Sequence, residues 1–165
     1  MADYIIRAER FIREFSPYLN GCNTRQQVTE AVLKFNREYN RKVIMKFGQT
    51  RIVLITSDYV VKMDYGDRLN MWGGIHDEYD MYCQAEQDGF EYLFAKITLF
   101  TYGTRTYGIM PKVTGIGKYW CDANEYMTDE ENQWCDDHNL FDLHEYNYGW
   151  KNGRVILIDY AAHDA

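Results

Sequence analysis

Asp142-Leu143-His144-Glu145-Tyr146-Asn147-Tyr148-Gly149 is followed by a turn at Lys151-Asn152-Gly153 and then by Val155-Ile156-Leu157-Ile158-Asp159-Tyr160. An Asp and an Asn stand in a short loop with the spacing D-x-x-x-x-N, and the apolar strand after the turn delivers a second Asp at its end. These residue types suit one kind of chemistry. A carboxylate can orient a hydroxyl, while an amide oxygen and a second carboxylate can hold a hard cation that neutralises phosphate charge. Asn147 and Asp159 are 12 residues apart, enough for a hairpin to return both to one place.

Upstream of this stretch the pattern changes period twice. Residues 3–15 carry Ile5, Ile6, Phe11, Ile12 and Phe15 at three- and four-residue spacings among Arg and Glu, which predicts an amphipathic helix ending near Ser16-Pro17. A second helix starts at Thr24 with Val28, Ala31, Val32 and Phe35 on its apolar face and runs to about Tyr39. Then Val43 to Phe47, Arg51 to Ile55 and Tyr59 to Met63, broken at Gly48-Gln49 and Ser57-Asp58, predict three antiparallel strands in a meander. After a polar connection over 64–73, a helix from about Ile75 carries Glu78 in its first turns and stops at Asp88-Gly89. Residues 93–100 and 105–110 read as two more strands around Tyr102-Gly103-Thr104. Thr128-Asp129-Glu130-Glu131 is a capping box opening an acidic helix with Trp134 and Cys135 inward.

Composition narrows the class. At 165 residues the chain makes one domain or two small lobes, and 46% apolar residues with fifteen Tyr and eight Phe are enough for a packed interior. The net charge of −7 argues against non-specific binding to nucleic acid or anionic membranes and suits a basic partner surface as well as ordinary solubility. Four cysteines form no C-x-x-C pair, so reduced thiols are expected; Cys121, Cys135 and His138 sketch three zinc ligands without a recognised finger spacing. No apolar run reaches the roughly 18 residues needed to span a bilayer. Met1-Ala2-Asp3-Tyr4 does not read as a signal peptide. A soluble, cytoplasmic protein is expected.

With the order of elements established, the chain resembles the protein-kinase-like superfamily in a shortened form, over roughly residues 43–160. The resemblance implies an α+β fold in three parts. Residues 1–42 are two extra N-terminal helices, 43–113 a five-stranded antiparallel N-lobe sheet with one packed helix, and 114–165 a minimal C-lobe. Lys62 in Val60-Val61-Lys62 looks like the third-strand lysine that contacts ATP phosphates, and Glu78 like the helix glutamate that positions it. Met110-Pro111-Lys112-Val113 looks like the hinge, with Met110 and Val113 beside adenine, and Gly48 and Arg51 fall where the phosphates would be covered. Asp142 would be the catalytic Asp, and Asn147 and Asp159 the magnesium ligands. ATP and Mg²⁺ are the implied cofactors.

The departures from that pattern bear on function. Phe47-Gly48-Gln49-Thr50-Arg51 keeps one glycine of G-x-G-x-x-G. Leu140-Phe141 replaces the His-Arg that precedes the catalytic Asp. His144 makes D-L-H-x-x-N, closer to aminoglycoside and choline phosphotransferases, and Asp159-Tyr160-Ala161 lacks the glycine of D-F-G. Five residues follow Tyr160, so no activation segment and no peptide-binding helices are expected, and any acceptor surface would come from the N-terminal helices, a second copy or a protein partner. Such compact chains look similar to bacteriophage proteins that act on a host protein in the host cytoplasm. Two functions follow: an ATP/Mg-dependent phosphotransferase, or a pseudokinase-like protein that binds and inhibits a host protein without catalysis. A weaker third is an acidic decoy for a nucleic-acid-binding protein.

Overall fold

The computed structural model describes residues 2–48, 51–64 and 74–160. Gln49 of the first turn, residues 65–73 of the connection after the third strand, and the residues after Tyr160 lie outside the described residues. The chain is α+β, with a five-stranded antiparallel sheet, a two-stranded hairpin and four α-helices among the described residues. It divides into two compact units. The first takes residues up to 69 with 98–112, and the second takes 70–97 with everything from 113 onward.

In the first unit, α1 (Asp3–Phe15) runs into a 3₁₀ turn at Ser16–Leu19 that accommodates Pro17 near its start. Helix α2 (Arg25–Tyr39) is opened by a second capping box. The Thr24 hydroxyl accepts from Gln27 N at 3.1 Å while the Gln27 side chain accepts from Thr24 N at 3.1 Å. It ends at Asn40, in the left-handed region at φ 52°. Strands β1 (Ile44–Phe47), β2 (Arg51–Ile55) and β3 (Tyr59–Asp64) form the expected meander, and β4 (Thr98–Tyr102) and β5 (Arg105–Pro111) complete the order β1-β2-β3-β5-β4. Lys62 therefore sits in a central strand, opposite Val53 of β2 and Gly108 of β5.

One hydrophobic core joins the two helices to this sheet: Phe11, Phe15 and Phe35 from α1 and α2 pack with Leu54, Val61, Met63 and Ile109 from the strands. Phe35 is its aromatic hub, edge-on to Phe11 and Phe15 with centroids at 5.4 Å and stacked on Tyr39 at 4.5 Å. Val43, expected to open β1, is held instead by the Asn36 side chain. The amide donates to Val43 O and accepts from Val43 N, both at 3.0 Å, as a neighbouring strand would.

The second unit contains α3 (Ile75–Asp88), α4 (Asp129–Asp137) and the hairpin of β6 (Tyr148–Lys151) and β7 (Arg154–Leu157). Helix α3 stops where the Asp-Gly signal places it, with Gly89 at φ 82° as its left-handed cap. Residues 93–97 correct the sequence reading: they are not the start of β4. Glu91–Leu93 is a 3₁₀ turn, Phe94 makes an isolated parallel bridge to Leu157, and Ala95 N donates to Leu157 O at 2.9 Å. Leu93, Phe94, Ala95 and Ile97 are all buried, so the segment lacks the alternation of a half-buried strand.

Helix α4 is anchored by polar contacts from its inner face. Trp134 Nε1 donates to Asp88 at 2.9 Å; that bond, a further one from Gln84 and the nearby His138 hold the Asp88 carboxyl below its usual range. Glu131 closes the capping box (Thr128 N to Oε1, 2.8 Å), accepts from Tyr92 OH at 2.7 Å and lies 3.7 Å from Arg154 Nη1. Burial raises its pKa, and those hydrogen bonds with the Arg154 charge more than reverse the rise, leaving it lowered.

Candidate catalytic loop and metal hairpin

The second unit gathers Glu78, Asp142, Asn147, Asp159 and Val113; Lys62, Gly48, Arg51 and Met110 belong to the first. The division falls between Lys112 and Val113, inside the segment read as a hinge.

Asn147 is the best-defined member. Its Nδ2 donates to Asp142 O at 2.7 Å, bridging the two ends of the D-x-x-x-x-N spacing, and its N–H donates to His144 O at 2.9 Å to close the turn between them. A carbonyl can only accept, so the amide's NH₂ must face Asp142 and Oδ1 must face away. Among the described residues Oδ1 accepts no hydrogen bond, which leaves an oxygen donor of the kind magnesium takes. The Asn147 carbonyl accepts from Ile158 N at 2.9 Å, so the hairpin brings the residue preceding Asp159 onto the backbone of Asn147. The turn that achieves this is Asn152-Gly153, with φ of 53° and 75°, the positive pair a tight two-residue hairpin requires.

Asp142 is exposed, with His144 Nε2 at 3.6 Å from its Oδ1. The Tyr146 N–H donates to His144 Nδ1 at 3.2 Å, so the neutral imidazole carries its proton on Nε2, toward Asp142. Leu143 beneath is buried, and Ala123 N donates to its carbonyl at 2.8 Å, fixing the loop's inner edge.

Glu78 is fully buried in the first turn of α3, and its Oε2 accepts from Tyr160 N at 2.9 Å. The Tyr160 ring is buried too, donating its hydroxyl to Ala95 O at 2.5 Å and meeting Phe94 edge-on at 4.9 Å. Asp159, half-buried, thus stands between a residue bonded to Asn147 and a residue bonded to Glu78. Sequence reading missed this role of Glu78. The only signal for it was a carboxylate on the apolar side of α3, in line with Tyr82 and Ala85.

In the first unit Lys62 is buried, at 5% exposure. Gly48 N donates to Arg51 O at 2.8 Å, so that amide closes the β1–β2 hairpin, and Arg51 is itself buried at 7% exposure. Met110 and Val113 are buried, and Val113 packs against Gly149 of β6. The zinc sketch does not assemble. Cys121 Sγ bonds Tyr126 OH, the buried Cys135 thiol is pushed up to about 12 chiefly by desolvation, and His138 Nδ1 bonds Trp134 O. Among the described residues no three His, Cys, Asp or Glu side chains gather as metal ligands. No described helix is long and apolar enough to cross a membrane.

No family model and no curated protein matches the chain. Among solved structures, the chain aligns with one described as a co-crystal structure of WbdD and the kinase inhibitor LY294002, at 14% identity and a TM-score of 0.35. The alignment covers 70% of this chain and 31% of that one, so this chain matches about a third of that protein's length.

Proposed function

We propose that the chain is a Mg-ATP-binding phosphotransferase of kinase-like fold. The observation that carries the proposal is the Asn147 clamp: Nδ2 on Asp142 O, Oδ1 left for a cation, and the hairpin bond from Ile158 N that returns Asp159 beside it. Asn147 and Asp159 would hold Mg²⁺, which would supply charge neutralisation at the phosphates. Asp142, exposed and reachable, would orient the acceptor hydroxyl, and the buried Lys62 of β3 would serve the nucleotide phosphates. The acceptor is a hydroxyl compound or a protein side chain.

One observation favours a second reading, nucleotide binding without transfer: the Gly48 amide donates to Arg51 O and Arg51 is buried, so these two residues give phosphates little to hold. The test is thermal stability with and without Mg-ATP, for wild type and Asp159→Ala. Ligand at 100 times its dissociation constant adds about 2.7 kcal/mol to native stability. A shift in wild type that Asp159→Ala loses is the expected result; no shift at millimolar Mg-ATP overturns both readings. Transfer from labelled ATP that is absent in Asp142→Ala separates the first from the second.

A further inference from the structure

The segment between β5 and β6 does something that nucleotide chemistry does not use. It exposes aromatic rings side by side. Trp120 is 96% exposed, and its neighbour Tyr119 and the nearby Tyr126 are exposed as well, with ring centroids 5.6 Å apart. Trp150 of β6 meets Tyr119 edge-on at 5.6 Å and Tyr126 at 4.9 Å, so these two tyrosine rings stand on a packed aromatic floor. The same surface continues through Ile116 to Tyr146, whose ring covers Gly117: a Cβ there would lie 2.8 Å from Tyr146 Cε1. A Trp almost wholly in water beside two supported tyrosine rings is apolar surface of the kind that protein interfaces bury.

The segment that carries the rings is acidic. Residues 113–147 contain nine carboxylates against one lysine, so this segment carries the whole negative balance of a chain whose net charge is −7. Asp122 and Glu125 flank the rings in sequence and are exposed. The fields of Glu145 and Asp122 reach the ring floor, where they add to burial and to Cys121 in pushing the Tyr148 hydroxyl up to about 12. The segment's single lysine already shows what the rings accept, because Lys118 Nζ lies 5.4 Å from the Tyr119 centroid.

We propose that the aromatic surface of residues 116–126 with Tyr146 is a docking site for a Lys/Arg-rich segment of another protein, whose cations stack on Trp120 and pair with Asp122, Glu125 and Glu145. Charge eliminates the other occupants. Phosphates of nucleic acid and anionic lipid headgroups are repelled by the exposed carboxylates beside the rings, and a second copy would set Asp122 and Glu125 against the same carboxylates. Glu145 and Tyr146 lie in the 142–147 loop, so the test is made without nucleotide and with substitutions outside that loop.

The experiment titrates the full chain into a fluorescein-labelled Lys/Arg-rich peptide at physiological ionic strength, where the Debye length is about 8 Å and distant charges are screened. Trp120→Ala removes the anchor from an exposed position, Asp122→Asn with Glu125→Gln removes the flanking charge, and Ile6→Ala, at an exposed position of α1, is the control. Expected are saturable binding by wild type and Ile6→Ala, and binding weakened at least about tenfold by Trp120→Ala and by the double charge variant. Equal binding by Trp120→Ala overturns the proposal. So does tighter binding of a single-stranded oligonucleotide or of phosphatidylserine vesicles than of the peptide, or a dimer in sedimentation that Trp120→Ala dissociates.

Discussion

Glu78 Oε2 accepts the backbone N–H of Tyr160 at 2.9 Å, across 82 residues of sequence and with both residues buried. That bond ties the first turn of α3 to the segment carrying Asp159, and a buried amide without an acceptor is costly. Glu78→Ala is expected to destabilise the fold by about 1–3 kcal/mol, the range for leaving a buried donor unsatisfied, whereas Glu78→Gln keeps an acceptor and costs less. Urea unfolding of both variants checks it. Equal losses would show that the oxygen facing Tyr160 is not what matters.

Asn147 braces its loop through its NH₂. Asn147→Asp replaces the donor facing Asp142 O with a second acceptor at 2.7 Å, so the loop loses its brace while keeping its shape. A loss of about 1–3 kcal/mol is expected from the unsatisfied carbonyl and the new oxygen–oxygen contact. Comparing the urea midpoints of Asn147→Asp and wild type without any ligand separates this structural role from the proposed metal binding.

Much of this was legible in the sequence, for physical reasons that differ by element. The meander β1–β3 followed from β-branched runs cut by turn residues, and α2 and α4 from their caps, because these signals are local. Residues 93–97 misled because a short, mostly apolar run beside a true strand has the composition of a strand, and its length alone does not separate it from a buried irregular segment. The polar clamps were invisible. Nothing in the spacing says that Glu78 meets a backbone amide, or that Asn36 stands in as a strand partner for Val43, since both depend on tertiary placement. For the candidate site, the spacing of Asp142, Asn147 and Asp159 could be read directly, but not the hydrogen bonds that orient them.

The N-terminal helices share their core with the sheet, and Phe35 is the residue that tests it. It is fully buried between Phe11, Phe15, Tyr18 and Tyr39. Phe35→Ala is expected to cost about 3–5 kcal/mol, the range for removing a buried aromatic ring. A single cooperative urea transition displaced to lower denaturant is the expected outcome. A transition in which the helices melt first while the sheet signal is unchanged would mean that they do not share stability with it.

Glu131 sets a pH dependence. Its folded pKa lies below the unfolded value of about 4.3, so the unfolded state takes up the proton first as pH falls. The stability it confers is therefore complete above that pH and is lost as pH falls through the lower folded value. Glu131→Gln cannot titrate, and its urea midpoint is expected to fall less steeply than that of wild type between pH 5 and 3, about where glutamates titrate. Parallel curves would remove Glu131 from the acid response.

Two glycines of the hairpin differ in why they are needed. Gly149 has ordinary backbone angles but no room: a Cβ would lie 2.5 Å from Val113 Cγ2 and 2.8 Å from Thr114 O. That carbonyl is fixed, since it accepts from Trp150 N at 2.7 Å, so an added methyl must push β6 away from residues 113–114. Gly153 has open space around it and a φ of 75°. Gly153→Ala thus meets only the backbone strain of the left-handed region, about 1–2 kcal/mol. Gly149→Ala is expected to cost about 1–3 kcal/mol by overpacking and, unlike Gly153→Ala, to move the β6 amides. Amide chemical shifts of Trp150 and Lys151 distinguish the two, and unchanged shifts in Gly149→Ala would mean that the methyl is accommodated without moving the strand.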